Sequence, residues 1–438
     1  MYIRANYYIT PGISERFLVI SAEEKAFEVV IISDSSKISE SFYKPIDVFD
    51  MKILNITCAE SDQDKRAWSG TAYKTLQALR QTGYQVDFLP VKNVPFPMLL
   101  RLQWLTYRIM RKCGLTKHIF LPTFTNSFRN AVKSWLETFD FASYDYLFVT
   151  ASSIISNALV LLKKEKHFDA KIVTLVDAPF CAIENYYDTS TNLYPANSDE
   201  ANQIGRDFFC SADRVITASQ WAKDNAVARY GTNPNKIHVI EFGANIDTPI
   251  LGTRTISFKD KTHYNLLLSG VDWVRKGGEV AVECCEQLVR MGGKFTLHIV
   301  GMPVPEQHKA LPFIKEYGFL NKNIPEQYAK YLAILEQMDI FLFPSRAECS
   351  ATVLCEAAGL SLPTFCYETG GLANYVVNGK NGERLPLSAS GVDFAEAIMN
   401  AIETDKLDDY SRGAQEMYNT RLNWNTWTQR VKNEILTN

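Results

Sequence analysis

The 438-residue chain has little of what usually marks a metal or redox centre. Its six histidines are scattered singly, so a zinc site would have to be assembled from distant residues. Its nine cysteines form no Cys-x-x-Cys pair, and the adjacent Cys284 and Cys285 suit neither an ordinary disulfide nor a zinc site. An odd, dispersed set of thiols is read as reduced, in a cytoplasmic protein. No apolar run approaches the roughly 18 residues that span a bilayer. No N-terminal stretch shows the charged, apolar and small-residue order of a secretory signal. A large charge of one sign is missing as well: 46 Lys and Arg against 49 Asp and Glu leave a net charge of −3. That balance argues against a nucleic-acid partner, which selects strongly basic surfaces. Neither a Walker loop nor Gly-x-Gly-x-x-Gly is present.

What is present is an ordinary globular composition, 46% hydrophobic and 22% charged, in a chain long enough for two domains and additional segments. Residues 1–50 contain two β-like runs, Phe17–Ser21 and Phe27–Ser33, joined by a charged segment that suits a hairpin. They read as an N-terminal extension without assigned chemistry. From Met51 the pattern alternates strand and helix. Strands are expected at Ile53–Cys58, Tyr84–Leu89, Tyr146–Thr150, Lys171–Val176, Arg214–Ala218 and Ile237–Glu241, with helices between them. A second series follows a linker near Ile246–Lys261. It comprises strands Asn265–Ser269, Phe295–Val300 and Ile340–Pro344, and the chain closes with helices Asp393–Glu403 and Asn425–Leu436. The expected fold class is α/β, two Rossmann-like doubly wound domains facing a cleft. The divisions are 1–50, an N-terminal domain over 51–246, a C-terminal domain over 247–415, and a closing helix over 416–438 that returns towards the N-terminal domain. In such folds ligands sit at the carboxyl ends of the strands.

Three stretches carry candidate chemistry. Gly270–Gly278 joins a strand to a helix and places Arg275 and Lys276 beside a helix N-terminus, a ready anion site. A plain βα turn with two solvated cations is the competing reading. Glu348 follows a strand end, and Glu356 lies on the next helix, with Ser350 standing where an N-cap belongs. A buried carboxylate needs a partner, and sugar hydroxyls would supply one; two unrelated surface and helix glutamates is the plainer alternative. Gly370-Gly371 forms a turn that brings backbone N–H groups close to a ligand or merely turns the chain. Asp62-Gln-Asp64 matches an Asp-x-Asp metal motif, but in the first loop of a Rossmann-like domain it reads as solvated loop.

The order of these elements resembles the retaining GT-B glycosyltransferases of family 4. Ala212-Asp-Arg-Val-Ile-Thr-Ala-Ser219 resembles the family's A-D-x-V-I-x-x-S strand, and Phe242-Gly-Ala-Asn245 its turn before the linker. Gly270–Gly277 resembles G-R-x-x-x-x-K-G, Val300-Gly301 the V-G strand end, and Pro344-Ser345 with Glu348-x7-Glu356 the P-S…E-x7-E signature. Gly370-Gly371 and Asn378–Gly382 resemble its closing glycine motifs. The resemblance implies that Lys276 holds the donor diphosphate and that Glu356 binds the nucleotide ribose. It sets Glu348 near the donor sugar, with Gly270, Gly301, Gly370, Gly371 and Leu372 about the sugar and phosphates. Ser69-Gly70 matches the N-domain loop facing the donor. The family arginine falls at Val271, leaving Arg275 as its nearest substitute. The family's N-domain histidine is replaced at the end of strand Lys171–Val176 by Asp177, and a turn cap is the competing role there.

The activity so implied is transfer of a hexose from a UDP- or GDP-sugar to a hydroxyl acceptor with retention, with no cofactor and no metal required. A catalytically silent nucleotide-sugar-binding module and a sugar-nucleotide epimerase are the alternatives. Residues 97–115 suggest a further partner. Arg101, Arg108 and Lys112 fall on one side of a helix, next to Met98, Leu102, Leu105 and Ile109. Such a helix suits an anionic membrane at the inner face and a lipid-linked acceptor. The plainer expectation is a helix that packs this apolar side inward.

Overall fold

The computed structural model describes residues 51–437 and, before them, the backbone of four strands: β1 (Asn6–Tyr8), β2 (Arg16–Ala22), β3 (Ala26–Ile32) and β4 (Ser41–Phe42). These form an antiparallel sheet in sequence order, with Leu18 opposite Val30. The expected hairpin is thus the β2–β3 pair, although its connecting residues 23–25 lie outside the described residues. The chain divides into two compact units, Met1–Met51 and Lys52–Asn438.

The large unit holds two six-stranded sheets. The first comprises β5 (Lys52–Thr57), β6 (Gln85–Pro90), β7 (Tyr146–Thr150), β8 (Lys171–Val176), β9 (Arg214–Thr217) and β10 (Ile237–Val239), in the order β10-β9-β8-β7-β5-β6. The second comprises β11 (His263–Ser269), β12 (Lys294–Val300), β13 (Ile314–Gly318), β14 (Ile340–Phe343), β15 (Thr364–Tyr367) and β16 (Gly382–Leu385), in the order β13-β12-β11-β14-β15-β16. Every pairing within both sheets is parallel. Parallel strands covered by helices on both faces must be apolar throughout rather than alternating. The sequence obeys this: Tyr146–Thr150 and Ile340–Phe343 are buried at every position.

Thirteen α-helices are named among the described residues. Those of the first half are α1 (Thr71–Arg80), α2 (Met98–Lys112), α3 (Asn126–Leu136), α4 (Ser153–Lys166), α5 (Phe180–Ile183), α6 (Pro195–Ser211) and α7 (Gln220–Tyr230). The second half adds α8 (Gly278–Arg290), α9 (Pro325–Leu335), α10 (Thr352–Gly359), α11 (Gly391–Glu403), α12 (Lys406–Thr420) and α13 (Trp424–Arg430). Local capping explains several of the starts. Ser152 and Ser219 accept from Ile155 N and Ala222 N, and Ser390 forms a reciprocal capping box with Asp393. The closing helix expected over Asn425–Leu436 becomes α13 and a π turn, Val431–Ile435. It lies on the first sheet: Trp427 is fully buried beside Phe148, and Thr428 Oγ1 donates to Ala78 O.

Each sheet reverses its strand order once, between β5 and β7 and between β11 and β14. Parallel doubly wound sheets open a crevice at such points, beyond the carboxyl ends of the strands. The loops after β5, β8, β11 and β14 all reach one cleft.

Two expectations are corrected by this architecture. Ser350 does not cap α10: Ala351 occupies the N-cap position and the Ser350 hydroxyl is used elsewhere. The apolar stripe of α2 does not pack inward. The helix is held through Leu100 and Tyr107, and Met98, Leu102, Leu105 and Ile109 remain exposed.

Candidate active site

The floor of the cleft is made by the ends of β11 and β12. Gly270 N donates to Val300 O at 3.0 Å. Gly301 adopts φ +97°, and a Cβ there would meet Gly270 O at 2.3 Å. A Cβ on Gly270 would meet the Lys276 stem at 2.6 Å. The two glycines therefore let strand ends and a lysine stem share one narrow space. Lys276 is buried there, with its ammonium 4.6 Å from the centre of the Phe343 ring.

Glu348 gathers the charged groups of this wall. Its Oε1 accepts from Lys276 Nζ at 2.5 Å, Ser345 Oγ at 2.6 Å and Arg275 Nη1 at 2.8 Å. Arg275 also donates to Ala347 O, which fixes its guanidinium over the loop. Burial pulls the Lys276 pKa below the usual lysine range, and the Glu348 carboxylate opposes that shift. An anion entering beside Lys276 would favour its charged form further. Val271, at the position where the resemblance expects arginine, is 66% exposed.

Glu356 is buried on α10. Its oxygens accept from Lys322 Nζ at 3.0 Å and Tyr331 Oη at 2.9 Å. The partner that a buried carboxylate needs is thus supplied by the protein, and each oxygen keeps a second lone pair for a hydroxyl. Sequence reasoning missed both partners, because Tyr331 lies on α9 and Lys322 in the loop before it. Neither carries a motif.

The facing wall comes from the first sheet. Trp68, Ser69 and Gly70 take consecutive left-handed conformations, with φ of 50°, 57° and 89°. Two of these are not glycine, so the loop is strained in the way often seen at functional sites. Asn245 holds it: its Nδ2 donates to Ser69 O at 3.0 Å and Thr71 Oγ1 at 2.9 Å. Ser69 lines the cleft, while Gly70 is buried behind it.

Asp177 follows β8 and joins the walls. Trp68 Nε1 donates to its Oδ2 at 2.7 Å, and Ser350 Oγ donates to its Oδ1 at 2.5 Å. The residue keeps a partly open edge towards the cleft, but its carboxyl is enclosed. That burial raises its pKa to about 6; the Ser350 and Trp68 hydrogen bonds act against the rise and the Glu348 charge adds to it. Next to it, Tyr186 and Tyr187 accept from the backbone N–H groups of Glu348 and Cys349, both at 2.9 Å. The tyrosines, Trp68 and Ser350 were not legible as site residues. Their partners are more than a hundred residues away in the chain.

Gly370, Gly371 and Leu372 pack against the loop that carries Glu348. Gly371 N donates to Glu348 O, and Cβ atoms on the two glycines would meet the carbonyls of Glu348 and Cys349 at 1.9 Å. Leu372 is fully buried. These three residues support the Glu348 loop from behind and are not among those lining the cleft. Asp62 and Asp64, the formal Asp-x-Asp pair, are engaged by Arg80 and by Arg66 with Asn323.

Two cavities meet at this point. The larger, about 700 Å³, carries Lys276, Arg275, Glu348 and Glu356. The smaller, about 590 Å³, is lined mainly by apolar groups of the first half, among them Val94, Phe96, Phe124, Phe128 and Phe180. Trp68 and Asp177 line both.

Over residues 153–433 the chain matches the family described as "Family 4 Glycosyltransferase in conflict systems". The chain belongs to that family. This family 4 glycosyltransferase is also similar to the D-inositol 3-phosphate glycosyltransferase of Gordonia bronchialis, 22% identical over 220 residues. That match covers 47% of this chain and 48% of that protein, so the chain spans about half the length of the curated relative it matches. Among solved structures, sucrose-phosphate synthase of Thermosynechococcus elongatus aligns with TM-score 0.60 and 13% identity, covering 87% of this chain and 98% of that one. Anabaena Alr3699/HepE in complex with UDP aligns with TM-score 0.58 and 15% identity, covering 88% and 100%. The lipopolysaccharide outer core galactosyltransferase WaaB aligns with TM-score 0.57 and 15% identity, covering 88% and 99%. At such identities the likeness is one of fold, and the fold of this glycosyltransferase is GT-B, two Rossmann-like domains.

Proposed function

We propose that this glycosyltransferase moves a hexose from a nucleotide-diphospho-sugar in the larger cavity to a hydroxyl acceptor entering through the smaller one, with retention. The observation that carries the reading is the meeting of a cationic cavity and an apolar one at Asp177 and Trp68. Breaking the bond between the anomeric carbon and the phosphate oxygen leaves positive charge on the sugar and negative charge on the diphosphate. Lys276 and Arg275 stabilise the diphosphate, an effect worth about 3–4 kcal/mol for a well-placed donor. Glu356 accepts from ribose hydroxyls. Glu348 holds both cations in place and faces the sugar. Ionised Asp177 stabilises the positive anomeric carbon. The acceptor oxygen forms the new bond on the face the phosphate leaves, and its proton passes to a phosphate oxygen. The positive charge is supplied by the chain, so the reading calls on no cofactor or metal. Residues 51–246 provide the acceptor side and 247–415 the donor side.

UDP-glucose heads the donors to be screened, because the similarly folded HepE has been solved with UDP and with UDP-glucose. A panel of UDP- and GDP-sugars read by thermal shift identifies the donor, since a ligand at a hundred times its Kd stabilises by about 2.7 kcal/mol. Release of free sugar then tests turnover. Lys276→Ala is expected to lower turnover by about a hundredfold or more. A near-normal rate in that variant removes Lys276 from the mechanism. Tight binding with no turnover on any acceptor or water favours the silent module, the reading that exposed Val271 supports.

A further inference from the structure

Fifteen large apolar side chains are exposed among the described residues, and seven of them fall between positions 96 and 115. Five belong to α2: Met98 and Leu99 are each 78% exposed, Leu102 52%, Leu105 49% and Ile109 53%. Positions 98, 102, 105 and 109 follow helical spacing, so they form one continuous stripe. At about 100° per residue this stripe is roughly opposite the side that anchors the helix. The anchoring side is made by buried Leu100 and by Tyr107, which packs 4.9 Å from Phe120 and 4.7 Å from Tyr194. Monomeric proteins seldom leave such a stripe to water without use.

Charge specifies what covers it. Arg101, Arg108 and Lys112 flank the stripe along one edge, and Arg111 lies further round the helix. None of the four pairs with a carboxylate among the described residues. Arg108 instead lies over the Trp104 ring at 4.6 Å. Between Asp87 and Glu137 the sequence has no acidic residue and eight basic ones, in a chain whose net charge is −3. A protein groove complementary to α2 would need an apolar furrow bordered by carboxylates. A bilayer surface with anionic headgroups offers the same pairing over any length of helix, with the apolar side chains entering the headgroup boundary. Apolar exposure also continues from Phe96, which lines the smaller cavity, into Met98 and Leu99.

We propose that α2 is an interfacial helix that docks this chain on an anionic lipid surface, with the stripe Met98–Leu102–Leu105–Ile109 inserted and its cations on headgroups. The proposal stands apart from the donor chemistry, and its test does not depend on turnover. The full chain is sedimented with vesicles of phosphatidylcholine alone and with vesicles carrying 30% phosphatidylglycerol, at low and at physiological salt. The expected result is partitioning to the anionic vesicles only, weakened by salt because screening sets in within about 8 Å. The triple variant Leu102→Ser, Leu105→Ser, Ile109→Ser should lose at least about tenfold in partitioning. Arg101→Gln with Arg108→Gln and Lys112→Gln should abolish the preference for anionic lipid. Far-UV circular dichroism and donor-induced thermal shift should remain those of the parent in both. Absence of partitioning in the parent, or partitioning that the serine variant leaves intact, overturns the proposal. So does a parent that is a stable dimer made monomeric by the serine variant, because the stripe would then be covered by a second copy.

Discussion

Asp177 is the residue whose environment says most about the reaction. An aspartate in an unfolded chain ionises near pH 3.9, whereas burial lifts this one to about 6. The folded chain therefore holds a proton between about pH 4 and 6 that the unfolded chain has lost. With the native state binding more protons, stability falls as pH rises through that window. Activity should run the other way. On the proposed mechanism the ionised carboxylate is the active form, and it exists only above about pH 6, so turnover should rise through that value. Asp177→Asn is expected to flatten this limb of the pH–rate profile and to lower the plateau by about tenfold or more. The same variant should lessen the stability loss between pH 4 and 6 in denaturant titrations. A parent-like acidic limb in the asparagine variant would assign the titration to another group.

The closest backbone approaches around the site are made at residues that lack side chains. Gly301 sits at φ +97° with Gly270 O where its Cβ would be, 2.3 Å away. Gly301→Ala should cost about 2–4 kcal/mol by urea unfolding, combining backbone strain with overpacking. Gly292 is the control: its φ is +89°, but no atom lies within 4 Å of a Cβ there. Gly292→Ala should cost only about 1 kcal/mol, from conformation alone. Equal costs at the two positions would show that the crowding between β11 and β12 is not what requires glycine. Gly370-Gly371 shows the same crowding. A glycine pair marks a close approach of backbone to something, and here that partner is the Glu348–Cys349 backbone.

At the scale of the whole molecule, the cleft is closed by hydrogen bonds between the halves. Asp177 reaches Ser350, Tyr186 and Tyr187 reach the Glu348–Cys349 backbone, and Gln220 N donates to Asn374 Oδ1. α13 lies against α1, with Thr428 bonded to Ala78 O. Because Met1–Met51 forms a separate compact unit, a chain shortened to begin at Met51 should fold with the parent's unfolding midpoint and release sugar at the parent's rate. Failure to fold, or loss of activity in a folded product, would show that the extension is integral to the enzyme.

Much of this was determined by the sequence alone. Continuous apolar runs such as Tyr146–Thr150 allow little but buried parallel strands, and serines ahead of apolar helices set their starts. The order from Ser219 to Gly382 then separates one α/β family from the others. Lys276 and Glu348 could be placed together because each follows a strand end by a short loop and strand ends of a parallel sheet open on the same side, while Glu356 lies on the helix that follows Glu348. Other features were decided only by tertiary structure. Ser350 reads as a helix cap until Asp177, 173 residues earlier, takes its hydroxyl. The α2 stripe reads as core until the side through Leu100 and Tyr107 proves to be the one that packs. Periodicity shows which residues share a face, but what that face meets depends on contacts between segments far apart in the chain.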